Sequence, residues 1–184
     1  MAGDAHLREA SFTYASVYAI KIVQVARNVL GVNSMAFLYN ITMMDEGKEF
    51  AVSIDGNNFS AGSQLISNTK NTSDHDQSWS WILDPAIQAY ILYNPGRDLC
   101  ACPKALTDGG PVVLFQPTIN FTPQNTWDIT GWENAAIRSK ADANCNLNAE
   151  GRTSIPGTTK LIVFHWGKGG TANERWTSKL IRTP

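Results

Sequence analysis

The sequence has little charge, few cysteines and no long unbroken apolar run, and each shortage removes a class of function. Only 17% of its 184 residues are charged, and 15 Lys and Arg against 16 Asp and Glu leave a net charge of -1. No strong field draws it to nucleic acid or acidic lipid. Residues 1–92 hold 5 basic and 9 acidic side chains and residues 93–184 hold 10 and 7, so neither half has a basic stripe for phosphate contacts. Three cysteines, an odd number, make no disulfide framework. The longest apolar stretch, 15–32, is broken by Lys21, Gln24, Arg27 and Asn28 and makes a poor membrane span. Met1 to Glu9 is polar and charged, unlike a secretory leader, which sets the expectation of a cytoplasmic protein or one released without a signal peptide. The four sequons starting at Asn40, Asn58, Asn71 and Asn120 then read as ordinary Asn and Thr usage.

Catalytic signatures are equally scarce. No Gly-x-Ser-x-Gly elbow occurs, and the run from Gly167 to Thr171 lacks the spacing of a phosphate loop. Cys100-Ala101-Cys102 with Cys145 lacks the second spaced pair of a zinc site, so these thiols are expected to be buried and inert. The carboxylates of Asp45-Glu46 and of Asp74 with Asp76 read as solvated surface. With no acid, base or nucleophile group in view, the expectation is no enzyme, no metal and no cofactor.

What is abundant is turn-forming chemistry. Asn, Thr, Ser, Gly and Pro supply 65 residues, which favours short strands and tight turns in a single domain of ordinary size. A repeat runs through them. Asp76-Gln77-Ser78-Trp79, Gln124-Asn125-Thr126-Trp127 and Asn173-Glu174-Arg175-Trp176 share an order of residue types, and their tryptophans lie 48 and 49 residues apart. Fourteen residues before each Trp stands an apolar pair, Leu65-Ile66, Val113-Leu114 and Ile162-Val163. Upstream come two more extended segments per unit: 35–41 with 50–54, 90–93 with 99–102, and 135–138 with 145–147. The units span about 34–83, 86–131 and 134–181, each of four short strands joined by Gly- and Asp-rich turns. A unit this small buries no useful core alone, so three must pack about one axis with a Trp from each.

At these residues the sequence resembles the ricin B-chain-like β-trefoil lectins, whose repeats carry a Gln-x-Trp signature near the last strand, as Gln77-Ser78-Trp79 does here. The likeness covers about 34–181. It implies an all-β fold, a β-trefoil of three four-stranded repeats over 34–184, preceded by an N-terminal extension over 1–33. It also implies a shallow sugar pocket on each repeat, with the sugar stacked on an aromatic about 12 residues before the Trp. The matching positions are Ser67, Phe115 and Phe164. A pyranose has one C–H face that packs on a ring, while its hydroxyls need fixed partners to replace water. Gln124 with Asn125, and Asn173 with Glu174, match the polar residues that bond those hydroxyls. An acidic residue 14 or 15 positions before the aromatic completes the family's pocket: Glu150 stands 14 before Phe164, and Cys100 occupies the place in repeat 2. Repeat 3 is therefore the best-furnished site, with Trp166 and His165 beside its platform, and Asp108 and Asp55 as lesser polar candidates. The opposing reading has Phe115 and Phe164 packing inward as the ends of their apolar runs.

Residues 1–33 match no repeat. Lys21, Gln24 and Asn28 at helical spacing predict a helix ending at Gly31, whose apolar face lies across the trefoil or pairs with a second copy in a homodimer. The resemblance implies a carbohydrate-binding protein whose partners are cell-surface glycans, in a defensive or toxic role. Two alternatives remain open: a β-trefoil protease inhibitor acting through a loop such as 68–76, or the receptor-binding or pore-forming part of a toxin, with residues 12–32 touching membrane.

Overall fold

The computed structural model describes residues 37–117, 120–151, 155–165 and 171–181, so the expected N-terminal helix falls outside it. The described chain is built of β1 (Tyr39–Asp45), β2 (Lys48–Ser53), β3 (Ile66–Thr69), β4 (Ser80–Asp84), β5 (Ala89–Asn94), β6 (Leu99–Pro103), β7 (Gly110–Phe115), β8 (Trp127–Ile129), β9 (Ile137–Ser139), β10 (Cys145–Ala149), β11 (Leu161–His165) and β12 (Thr177–Leu180). This is the all-β trefoil expected, four strands to a repeat. The helical turns among the described residues are three short 3-10 turns, His75–Gln77, Pro123–Asn125 and Ala172–Glu174, each ending two residues before a repeat tryptophan.

Antiparallel pairing joins consecutive repeats through β4–β5 and β8–β9, and β12 returns to β1. Within each repeat the second and third strands form a hairpin: β2–β3, β6–β7 and β10–β11. The β1–β2 turn is the tight two-residue kind, with Glu46 at φ 47° and Gly47 at φ 76°, the left-handed backbone whose twist matches that of the flanking strands.

The period in the sequence becomes a pseudo-threefold arrangement of three indoles. Trp79, Trp127 and Trp176 are 0–1% exposed. Their Nε1–H groups donate to the carbonyls of Val52 (2.9 Å), Ala101 (2.8 Å) and Leu147 (2.9 Å), the same place on the second strand of each repeat. Their backbones bridge to Tyr39 at the start of β1, Tyr90 in β5 and Ala135 just ahead of β9. Between them Ile41, Phe50, Leu65, Leu92, Val112, Leu114, Leu161 and Val163 fill the centre. An indole buried to this depth removes about 150–250 Å2 from water, an upper-limit stabilisation of about 4–6 kcal/mol each.

The residue two before each Trp serves the same turn. Gln77 Oε1 accepts from Asn71 N (2.7 Å), Asn125 Oδ1 from Thr122 N (2.8 Å) and Glu174 Oε2 from Thr171 N (2.9 Å), closing the loop in front of each 3-10 turn. A polar residue at that offset is thus explained by backbone capping in all three repeats.

Candidate functional site

Directly paired residues of an antiparallel ladder share a face, so the registers define one outward row of side chains per repeat. In repeat 3 the row across β11, β10, β9 and β8 is Phe164, Asn146, Arg138 and Asp128. In repeat 2 it is Phe115, Cys100, Tyr93 and Ser80, and in repeat 1 it is Asn68, Ala51, Thr42 and Thr177. These rows correct two expectations drawn from counting. The repeat 1 residue equivalent to Phe115 and Phe164 is Asn68, half-buried, whereas Ser67 faces inward and is fully buried beneath the 155–160 loop, with Ser67 N donating to Thr159 O (2.7 Å) and Gly157 N to Ser67 O (3.0 Å). In repeat 3 the residue opposite the aromatic, where repeat 2 has Cys100, is Asn146. Glu150 lies beyond the end of β10, exposed, with its N–H on Lys160 O (2.9 Å).

The two aromatic platforms have different surroundings. Phe115 is half-buried and packs on a small apolar cluster of Ile91, Tyr93, Cys100, Cys102 and Phe121, which occupies the outer face of repeat 2. Phe164 is 41% exposed. Its ladder partner Asn146 is 0% exposed, donates through Nδ2 to Leu147 O (3.3 Å), and keeps an Oδ1 with no hydrogen-bond partner. A buried acceptor left this way costs about 1–3 kcal/mol. Arg138 and Asp128, both half-buried, continue the row. Neither Asn146 nor Arg138 was visible to sequence offsets; only the strand register identifies them.

The polar residues ahead of the tryptophans are largely committed to the fold. Asn173 Nδ2 reaches Asn148 Oδ1 (3.0 Å), Ala149 O (2.9 Å) and Gly151 O (3.0 Å), and its Oδ1 accepts from the Thr171 hydroxyl. Glu174 is buried and also accepts from Asn148 Nδ2 (3.1 Å). Asn125 bonds Asn120 O (3.1 Å), while Gln124 is exposed. Asp55 takes the N–H of Asn57 (3.1 Å) in its own turn. Trp166 and the Gly167–Gly170 turn lie outside the described residues.

Two charged contacts join segments remote in sequence. Asp108, exposed on the β6–β7 turn, accepts from both the backbone N–H and the ring Nδ1 of His165 (2.7 Å each), and His165 Nε2 lies 3.5 Å from Asp142. The hydrogen bond to Asp108, against a small opposing effect of burial, raises the His165 pKa above its usual 6.5. In return the two hydrogen bonds from His165 hold Asp108 below the usual carboxylate range. In repeat 1, Asp76 is not the solvated carboxylate expected. It is 8% exposed and takes a two-pronged bond from Arg97 (Nε 2.6 Å, Nη2 2.9 Å), which raises the guanidinium pKa further while the same group lies 4.4 Å over the exposed Phe59 ring. Burial raises the thiol pKa values, that of Cys102 to about 12 and that of Cys145 to about 11, with Cys100 higher still. Among the described residues no three His, Cys, Asp or Glu side chains are grouped to hold a metal ion.

No protein-family model matches this sequence, and no curated protein matches it. Solved structures do match in fold. The designed threefold symmetric protein ThreeFoil superposes with a TM-score of 0.65 at 16% identity, over 77% of this chain and 97% of its own. The ricin B-like lectin of Macrolepiota procera, solved in complex with lactose, gives 0.63 at 19% identity, over 81% of this chain and 99% of its own. A mosquitocidal holotoxin gives 0.66 at 18% identity over 80% of this chain, which spans 18% of the toxin. The β-trefoil fold of the ricin B-like lectins is thereby established for this chain.

Proposed function

We propose that this protein binds carbohydrate without transforming it, and that its principal site is the outer face of repeat 3. The observation that carries this reading is the contrast between the three equivalent rows. Repeat 1 has no ring in the platform place, repeat 2 has a ring committed to an apolar cluster, and repeat 3 has an open ring followed by an amide, a guanidinium and a carboxylate. Phe164 is the platform for the C–H face of a pyranose, and Arg138, Asp128 and the orphaned Oδ1 of Asn146 are the polar groups along its edge. Support from outside the chain comes from the lactose complex of the Macrolepiota lectin.

In this reading Asn146, Arg138 and Asp128 take the hydroxyl-binding part that sequence offsets gave to Glu150, Asn173, Gln124 and Asn125, and Phe164 alone takes the platform part shared there with Phe115. His165 and Asp108 brace the strand that carries the platform. Capture of glycans on a cell surface, for defence or as the binding part of a toxin, is the role proposed, and the likeness to a segment of a holotoxin is in keeping with it. The protease-inhibitor alternative has less support. Its loop is tied down by Lys70 N on Glu49 O (3.2 Å) and Gln77 Nε2 on Thr69 O (2.9 Å), rather than presented as a free extended segment. A glycan array of the wild type and of Phe164→Ala tests the proposal: a set of glycans retained by the wild type and lost by the variant is expected. Wild-type protein that retains no glycan, or a variant that keeps them all, overturns it.

A further inference from the structure

Three equivalent junctions meet at one end of the trefoil. The fourth strand of a repeat hands over to the first strand of the next at 85–88 and at 130–136, and the third junction is open, because β12 ends there and β1 begins. Four of the eight exposed large apolar side chains lie at these junctions: Phe37, Leu83, Trp132 and Leu180, at 45–68% exposure. Leu83 and Leu180 each stand four residues after a repeat tryptophan. They share that indole's face of the strand but lie beyond the end of the core.

These side chains form a band. The Tyr39 ring stacks on Trp132 at 5.4 Å, and Tyr39 is the ladder partner of Leu180. Leu83 is the ladder partner of Tyr90, whose ring meets Trp81 edge-on at 6.1 Å. Trp81 Nε1 in turn donates to Ser178 Oγ (3.1 Å), two residues before Leu180. Phe37 lies beside them, its carbonyl accepting from Ser80 Oγ (3.2 Å). At ordinary side-chain areas the exposed part is roughly 400 Å2, the size at which an apolar patch marks a contact surface.

The described chain starts at Phe37, within this band. Residues 15–32 come just before it and hold eight Val, Ile and Leu side chains against two charges, Lys21 and Arg27. Five residue steps separate Val32 from Phe37, a reach of at most about 18 Å. A tether that short keeps the segment at an effective concentration of about millimolar, ahead of any free partner of ordinary affinity. We propose that this end of the trefoil is a docking surface for the chain's own residues 15–32, whose aliphatic side chains cover Phe37, Leu83, Trp132 and Leu180 while Lys21 and Arg27 stay in water. The inference needs nothing from Phe164 or from sugar binding.

A nitroxide placed on full-length protein by Gln24→Cys tests it, since the three native thiols are buried and the label goes to one site. Proton NMR should show the Trp132 indole N–H and the Leu83 and Leu180 methyls strongly broadened. The Ile155 methyls, equally exposed but on the β10–β11 turn, should stay sharp. Adding Ile20→Asp with Val23→Asp, which leaves the trefoil core untouched, should reduce the broadening at least fivefold, and Leu83→Glu with Leu180→Glu should do the same, with urea unfolding as the check on its fold. A segment that is merely tethered would broaden the same signals in the Ile20→Asp, Val23→Asp variant as in its parent, and that result overturns the proposal. So does equal broadening at Ile155, or broadening that passes from labelled to unlabelled molecules in a mixture, which would assign the surface to a second copy.

Discussion

Truncating Phe164 and Phe115 to alanine, one at a time, separates binding from packing. Phe164 is 41% exposed, so about three fifths of its surface is covered. Of the roughly 200 Å2 that a phenyl side chain can bury, that fraction is about 120 Å2, equivalent to about 3 kcal/mol at the usual coefficient. The alanine methyl and a partly collapsed denatured chain reduce the expected cost to about 1–2 kcal/mol. Phe115 sits against five buried residues that cannot readily close over a hole, so a cavity term is added and about 3–5 kcal/mol is expected. Ligand binding should show the reverse order. A pyranose that loses its stacking partner loses about 1–2 kcal/mol, which raises the dissociation constant about 5- to 30-fold, while Phe115→Ala changes it little. Urea unfolding by circular dichroism reads the first quantity, and titration with the strongest glycan from the array reads the second. Phe164→Ala with unchanged affinity, or Phe115→Ala that is stable yet blind to sugar, would refute the assignment of the site to repeat 3.

Three further outcomes follow from the geometry. Changing Trp79, Trp127 or Trp176 to Phe removes the indole donor to Val52, Ala101 or Leu147 and should cost about 1–3 kcal/mol in urea unfolding, alike at the three places; a site whose cost is near zero would contradict the equivalence. His165 should titrate above its ordinary 6.5 in proton NMR and return toward it in Asp108→Asn. Because its folded pKa is raised, the stabilisation it gives is complete below pH 6.5 and fades as pH rises through the folded value, whereas Asp108, lowered from 3.8, stabilises above that pH and loses its effect as acid is added. Cys100 and Cys102 should resist a thiol reagent at pH 8 until the chain is unfolded, since burial leaves almost no thiolate; rapid labelling of native protein would show that β6 opens readily.

The frame was legible because its signal is large and periodic. A tryptophan buried on an axis has to recur at the repeat length, and so do the strand pairs that cover it. The clamp between Arg97 and Asp76 and the contact of Asp108 with His165, 57 residues apart, left no trace in the sequence, since a charge read locally has no partner until the turns are placed together. Asp76 therefore looked like solvated surface. The polar residues before each Trp were legible as a pattern but not as a purpose: backbone capping of a short loop and hydrogen bonding to a ligand both call for an amide or carboxylate there.

Sequence offsets and strand register part company for a single geometric reason, the unequal length of the three hairpins. Partners on the outward row are 17 residues apart in repeat 1 (Ala51 and Asn68), 15 in repeat 2 (Cys100 and Phe115) and 18 in repeat 3 (Asn146 and Phe164). The family's offset of 14 or 15, which fits repeat 2, therefore falls three or four residues short of Asn146 in repeat 3 and lands on Ala149 or Glu150, at or just past the end of β10, while an offset counted back from the Trp selects Ser67 in place of Asn68. In a strand such a slip of one residue moves the choice to the opposite face. The core tolerates unequal loops because the turns project outward and the indole-to-carbonyl bonds keep the strands in phase. The outer faces are under no such constraint, and each has diverged in its own direction: threonines around a hollow in repeat 1, an apolar cluster in repeat 2, and a ring with a guanidinium and a carboxylate in repeat 3. A fold with threefold packing can therefore carry sites with no symmetry at all, and the side chain opposite the aromatic, not the one at a fixed count from the tryptophan, distinguishes one site from the next.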